Sequence, residues 1–170
     1  RTVIIHSQVM RPEQLDSYKK FNFYPTFFTN HTYFWGDAHM ANLGAKRASF
    51  ISPMASAKKK GLKFANHNDA PVTPISQMMV LWSSVNRVSK SGVVVGPNER
   101  VSPYVGLQAL TSYGAYQYRD EAIKGSLEVG KLADMVVLDA NPLKIEPLKI
   151  KDIQVLRTIK SGKTIYQAKL

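Results

Sequence analysis

Residues 125–139, GSLEVGKLADMVVLD, divide the chain into two kinds of sequence. Three apolar runs follow the start of this stretch, at residues 133–139, 153–160 and 164–168. No helical pattern separates these runs, and strands without intervening helices are typical of an antiparallel sheet. Ser161-Gly162 lies between the last two runs and predicts a hairpin turn. We therefore predict one domain at residues 1–124 and a separate β element at residues 125–170.

The first 124 residues alternate between strand and helix patterns. Strands are predicted at residues 2–7, 24–30, 48–51 and 62–66, and helices at residues 12–21, 52–60, 74–88 and 102–118. Ser52-Pro53 and Ser102-Pro103 are favourable helix starts, because serine caps the first turn and proline fits its first position. Residues 31–46 contain two glycines and are predicted to hold only a short helix. The alternation indicates a parallel sheet with crossover helices, that is, an α/β fold.

Composition excludes several classes of protein. Of the 170 residues, 44% are apolar and 21% are charged, as in ordinary globular proteins. The longest apolar runs fall short of the roughly 20 residues that span a bilayer, so we expect no membrane partner. The absence of cysteine excludes disulfides and thiolate metal ligands. The chain opens with Arg1 inside an apolar run, which we interpret as an internal cut, and we expect a cytoplasmic protein whose N-terminal part is missing.

The formal net charge of +11 raises the alternative of nucleic-acid binding. The lysines are scattered, however, and their one tight run, Lys58-Lys59-Lys60, ends a predicted helix, where cations are favoured by the helix dipole. No nucleic-acid-binding motif is present. We therefore expect no nucleic-acid partner; affinity that falls steeply with salt would contradict this.

Candidate metal ligands lie where predicted strands end. His6 ends the first strand, His31 ends the second, and Asp69 follows the fourth. In a parallel α/β barrel such side chains meet at one mouth. Imidazole nitrogen and carboxylate oxygen suit Zn²⁺ and similar divalent ions. Each histidine could instead be an ordinary hydrogen-bonded core or surface residue. Gln8, two residues after His6, should face the same side.

Further side chains could line this site. His67 is two residues before Asp69 and should border the same pocket. His39 lies eight residues past His31 and is interpreted as loop or pocket wall. Tyr33 and Trp35 could bind substrate through an apolar pocket, or simply pack within a loop. The glycine-rich phosphate loops and the GxSxG elbow of serine hydrolases are absent.

The chain resembles the C-terminal part of the amidohydrolase superfamily, in the branch that includes N-substituted formamide deformylase and other metal-dependent hydrolases. The resemblance covers nearly the whole chain. Its motifs are HSQVMRPEQLD (6–16), HTYFWGD (31–37), HNDAPVTP (67–74), NERVSPYVGLQALTSYGAYQ (98–117) and KGSLEVGKLADMVVLDANPL (124–143). The resemblance implies the C-terminal half of a (β/α)8 TIM barrel, strands five to eight, with the C-terminal strands of a small composite β-sandwich.

The resemblance also implies roles for individual residues. His6, His31 and Asp69 match metal ligands of the family, and Asp69 also matches its catalytic proton carrier. The family's earlier ligands would precede Arg1, so the chain should need its missing N-terminal part for activity on an amide-like small molecule. Where this chain has His67 many relatives carry a small residue, so His67 is either a substrate contact or an additional ligand.

A half barrel should also expose sheet edges, and we expect a homo-oligomer unless the rest of the protein covers them. The alternative to an enzyme is a non-catalytic binding or structural module that uses part of this fold.

Overall fold

The computed structural model describes residues 1–169, and its first layer is a short parallel sheet. Its strands are β1 (Thr2–His6), β2 (Phe23–Phe27) and β3 (Ala65–Asn66), in the order β1-β2-β3. His6 is paired with Phe27, and Phe27 with Asn66, so the three strands end at the same level. Whatever follows each strand therefore emerges at one edge of the sheet, as expected for parallel strands.

Helices connect and cover these strands. Among the described residues they are α1 (Pro12–Lys20), α2 (Asn30–Phe34), α3 (Gly36–Ala48), α4 (Met54–Lys59), α5 (Gln77–Asn86), α6 (Pro103–Leu110) and α7 (Ser112–Tyr118), with 3₁₀ turns at Pro97–Glu99 and Pro147–Asp152. Proline occupies the first turn of α1 and of α6, as the sequence predicts. The predicted helix at 102–118 is broken at Thr111, whose backbone is not helical. The helix predicted at 74–88 begins only after its cap, Ser76.

Between residues 28 and 51 the sequence prediction was wrong in two respects. Residues 31–46, predicted to contain only a short helix, lie in α2 and α3 apart from Trp35, which separates the two helices. The strand predicted at 48–51 does not form; these residues end α3 and continue as turns, with Ile51 fully buried. The apolar character of this segment reflects burial in the core, which periodicity cannot distinguish from a short buried strand. The described parallel sheet therefore has three strands where four were predicted.

Two hydrophobic clusters hold the layers together. The first joins the sheet to its helices through Leu15, Phe27, Met54, Ala57, Phe64, Val101, Val105 and Ala109. The second joins α5 to the C-terminal part through Met78, Leu81, Trp82, Val85, Ile150 and Ile153. Met78, Trp82 and Val85 recur at helical spacing along α5 and form its buried face. Ile75 lies within the helix predicted at 74–88, but it precedes α5 and is 81% exposed.

The C-terminal part forms the predicted antiparallel sheet. Its strands are β4 (Met135–Leu138), β5 (Val155–Lys160) and β6 (Lys163–Gln167), in the order β4-β5-β6. Ser161 and Gly162 both have positive φ, as a two-residue hairpin turn requires. The chain is thus a mixed α/β structure. Within residues 1–169, no helix is both long enough and apolar enough to cross a membrane.

Candidate active site

The site residues follow the three strand ends. His6 is the last residue of β1, His31 lies in the first turn of α2, and His67 and Asp69 follow β3. The expectation that His31 ends a strand was wrong, because β2 stops at Phe27. His67 and Asp69 also lie beyond the strand, so strand alternation is not what directs them to one side. All four still emerge at the same edge of the sheet.

Backbone strain is concentrated at this edge. His6, Ser7 and Asp69 have φ values of 64°, 44° and 58°, in the left-handed region that side chains other than glycine rarely adopt. Such conformations cost about 1–3 kcal/mol each and gather at functional sites. These conformations lie where the chain leaves β1 and in the loop after β3, at the edge where Asp69 approaches His6.

His6 is the centre of the cluster. Its Nδ1 lies 3.1 Å from Nε2 of His67, and its Nε2 lies 3.4 Å from Oδ2 of Asp69. The His31 ring approaches edge-on, with 5.6 Å between ring centroids. The structure therefore brings His6, His31, His67 and Asp69 together, as predicted from their positions in the sequence. The side chains of His6 and Asp69 remain about one-third exposed, which leaves them open to a ligand.

Phe28 forms the floor of the cluster. Its ring centroid lies 4.3 Å from that of His31, 5.2 Å from His67 and 5.5 Å from His6, and the side chain is fully buried. An apolar floor removes water from one side of the imidazoles. Nothing in the sequence marks Phe28 as a site residue. Phe28 lies in the aromatic run of the strand predicted at residues 24–30, and such a run indicates core packing.

His39 and Gln8 form a second layer at the site. Nε2 of Gln8 donates a hydrogen bond to Nε2 of His39 at 2.7 Å, and the His39 ring lies 5.9 Å from that of His31. His39 was predicted to lie in a loop or a pocket wall; it lies in α3, which returns along the edge of the site.

The two aromatic residues proposed to bind substrate lie in different places. The Trp35 ring is 5.5 Å from His31 and 36% of the residue is exposed, so it can form a wall of the site. The Tyr33 ring packs edge-on against Trp82 at 5.6 Å, in the second hydrophobic cluster. The structure thus brings Trp35, but not Tyr33, beside the histidines.

Burial favours the neutral imidazole at His31, His39 and His67. Burial, reinforced by the neighbouring histidines, lowers the pKa of His31 to about 3. Burial also lowers the pKa of His67; His6 lowers it further, whereas Asp69 opposes the shift. Burial alone lowers the pKa of His39. Neutral imidazoles keep a lone pair available, which metal coordination requires.

The donor set suits a divalent ion chemically. Nδ1 of His31 is buried and has no hydrogen-bond partner among residues 1–169. Such a buried, unpaired nitrogen is costly unless something binds it. Yet nowhere in residues 1–169 do three histidine or carboxylate side chains stand close enough to hold a metal ion. The described residues therefore supply suitable ligands without forming a complete metal site.

Comparison with known proteins shows the family. The family model described as the amidohydrolase family matches residues 1–166. The chain is 27% identical over 134 residues to N-substituted formamide deformylase of Arthrobacter pascens, covering 78% of this chain and 25% of the relative. It is 25% identical over 128 residues to the putative amidohydrolase YtcJ of Bacillus subtilis (strain 168), covering 74% and 24%. The chain thus spans about a quarter of the length of the curated relatives it matches.

Solved structures agree. An uncharacterized metal-dependent hydrolase from Pyrococcus furiosus superposes with a TM-score of 0.70 at 26% identity, covering 84% of this chain and 29% of the other. An adenosine deaminase from Xanthomonas campestris with bound zinc has a TM-score of 0.69 at 16% identity, covering 96% and 36%, and supports the fold alone. Because the family model matches nearly the whole of it, this chain belongs to the amidohydrolase family.

Proposed function

We propose that this chain is the C-terminal part of a metal-dependent hydrolase that cleaves C–N bonds of non-peptide amides. The observation that carries the proposal is the cluster of His6, His31 and Asp69 at the carboxyl edge of the parallel sheet. Membership of the amidohydrolase family supports hydrolysis. The formamide deformylase relative and the metal-dependent hydrolase neighbour support an amide substrate and a metal.

In this proposal the barrel is completed by the rest of a longer protein. Residues 1–124 would supply the C-terminal half of a (β/α)8 barrel, and residues 125–170 would supply strands of a composite β-sandwich. The remaining metal ligands would then come from outside this chain, which agrees with the incomplete donor set within it. The chain alone is expected to be inactive.

His6, His31 and Asp69 would hold a divalent ion, with Zn²⁺ the first candidate for this set of nitrogen and oxygen donors. A bound ion of this kind lowers the pKa of water towards about 7 and polarises a carbonyl group. The low pKa of His31 keeps its lone pair free at neutral pH. Phe28 excludes water beneath the imidazoles, and Trp35 offers an aromatic wall to a substituent of the substrate.

Asp69 would move the proton. Its carboxylate would accept a proton from the attacking water as the C–O bond forms and would give that proton to the amine nitrogen as the C–N bond breaks. The reaction as a whole consumes one water and releases an acid and an amine. The pairing of Asp69 with His6 orients the carboxylate towards the site.

Replacing Asp69 by asparagine in the complete protein tests this role. General acid–base catalysis contributes about 10²–10⁴-fold, so turnover of N-substituted formamides should fall by at least about 100-fold. The metal content of the protein, measured by elemental mass spectrometry, should change far less than turnover. Asp16→Asn is the matched control, because Asp16 forms an ion pair with Lys60 on the surface. Turnover of Asp69→Asn within a few-fold of the parent would rule out Asp69 as the proton carrier.

The alternative is a binding or structural module without catalysis. The absence of a complete metal site within residues 1–169 is the observation that favours it. Metal analysis of the complete protein separates the two. A protein that retains no divalent ion after dialysis and hydrolyses no amide, carbamate or formamide would support the module.

A further inference from the structure

A chain of buried hydrogen bonds connects the two segments that carry His31 and Asp69. Ser83 Oγ donates to Asn30 Oδ1 at 3.0 Å, and Asn30 Nδ2 donates to Thr73 Oγ1 at 3.1 Å. Thr73 Oγ1 then donates to the carbonyl oxygen of Asn68 at 2.6 Å. Ser83, Asn30 and Thr73 are at most 1% exposed. The chain of bonds therefore runs from α5 through α2 into the loop after β3.

The residues joined by these hydrogen bonds are neighbours of the site residues in the sequence. Asn30 immediately precedes His31, and Asn68 lies between His67 and Asp69. Each bond thus ends within one residue of a group in the cluster, yet neither Asn30 nor Thr73 belongs to the cluster itself. Buried polar groups are costly to place, and a fully connected set of them fixes geometry more than it adds stability.

The loop depends on this connection. His67 is bonded to the sheet, through its N–H to Phe27 O at 2.9 Å. Between residues 68 and 74 the other hydrogen bonds of the loop are local, such as Val72 N to Asp69 O at 2.7 Å and Asn68 Nδ2 to Pro74 O at 2.7 Å. Local bonds shape the loop but do not locate it relative to α2. Within residues 1–169, the bond from Asn30 to Thr73 is the one hydrogen bond that joins residues 68–74 to the helix carrying His31.

We propose that Asn30 and Thr73 are positioning residues that set the distance between His31 and Asp69. The expected loss of turnover rests on the proposed function, whereas the expected change in the geometry of the site does not. Hydrogen-bonded supports of metal ligands typically change metal affinity or activity by about 10–100-fold when removed. Loss of the Thr73 hydroxyl should therefore act on the site from a distance.

The test compares Thr73→Val with Thr73→Ser in the complete protein. Valine keeps the shape of threonine and removes the hydroxyl, whereas serine keeps the hydroxyl. Ser84→Ala is the control, because Ser84 Oγ is equally buried but bonds only to Leu81 O within its own helix. Thr73→Val should lower kcat, or the affinity for added Zn²⁺, by about 10–100-fold, with KM changed much less. Thr73→Ser should restore the parent value, and Ser84→Ala should retain it despite a similar loss of stability.

NMR of histidines labelled with ¹³C gives a readout independent of activity. Thr73→Val should shift the ring resonances of His31 and His67, with His31 assigned by its loss in His31→Gln. Ser84→Ala should leave both in place. Unchanged resonances in Thr73→Val, or equal changes in Ser84→Ala, would overturn the positioning role. A parent protein without metal or turnover would overturn the proposed function instead, while the NMR comparison still decides the positioning role.

Discussion

Arg87→Met should destabilise the fold more than the same substitution at an exposed arginine. Arg87 is fully buried in the left-handed position that ends α5, and its guanidinium donates to the carbonyls of Val95 at 2.7 Å, Ser52 at 3.1 Å and Ile51 at 2.7 Å. Burial lowers the pKa of Arg87 to about 10, so the side chain is still charged at neutral pH. It joins the end of α5 to residues 51–52 and reinforces the backbone bridge between Val88 and Val94.

The magnitude follows from these three bonds. A hydrogen bond to a charged group contributes about 1.5–3 kcal/mol, and a buried carbonyl left without a donor costs about 1–3 kcal/mol. These values do not add fully, because methionine regains packing and the charge no longer needs to be desolvated. Three carbonyls lose their donor together, and we expect a net cost of about 3–5 kcal/mol for Arg87→Met, below the full sum of the separate costs.

Amide hydrogen exchange of the complete protein is the assay, because it reports the local opening of each segment. A loss of 3 kcal/mol corresponds to roughly 100-fold faster exchange in peptides covering residues 49–55 and 93–97. Arg100→Met is the matched control, since exposed Arg100 makes one such bond, from Nε to Asn86 O at 2.8 Å. An increase below about tenfold for Arg87→Met, or an equal increase in the control, would refute the reasoning.

Three further predictions concern stability. Folding lowers the pKa values of His31 and His67, so below the unfolded histidine pKa of 6.5 the unfolded chain binds more protons than the folded one. The contribution of these histidines to stability is therefore complete above pH 6.5 and falls as the pH drops towards 3. The urea midpoint of the metal-free protein should be lower at pH 5 than at pH 7.5, and equal midpoints would contradict the shifts. Gly96→Ala should cost about 2–4 kcal/mol, because Gly96 has a φ of 65° and a Cβ there would overlap the carbonyl oxygen of Ser49; an unchanged Tm would contradict this. Ser102→Ala should cost about 0.5–1 kcal/mol by removing the cap of α6, whereas Ser102→Asp should retain the Tm of the parent.

Local patterns in the sequence predicted the elements that local physics determines. The hairpin at Ser161-Gly162 forms because its turn chemistry lies within two residues. The parallel pairing of β1 with β2 follows from the alternation of strand and helix. By contrast, the chain from Phe28 to Ile51 was predicted as the end of one strand, a segment with only a short helix, and a further strand, because aromatic and β-branched residues there resemble a buried strand. Their burial against other segments overrides that local preference.

The candidate site was predicted as a group but not in its details. His6, His31, His67 and Asp69 meet as expected, because each lies at or shortly after the end of a parallel strand. The supporting residues could not be found in this way. Asn30 and Thr73 are 43 residues apart, and neither carries a local signal that it pairs with the other. Buried polar contacts of this kind become visible only when the tertiary structure is known.

The shortness of β3 explains why side chains must support the site. β1 and β2 share five paired positions, whereas β2 and β3 share only two, with one further bond from His67 N to Phe27 O. Two paired positions are too few to fix the position of the segment that follows β3.

The side chain of Asn66 extends this short ladder: its Oδ1 accepts from Thr29 N at 3.2 Å and its Nδ2 donates to Thr29 Oγ1 at 2.8 Å, as a further backbone pair would. Asn66→Ala should therefore release the loop that carries Asp69 while β1 and β2 remain paired. Exchange should accelerate in residues 65–74 and stay unchanged in residues 2–6. Uniform acceleration of both segments would show instead that the three strands open as one unit.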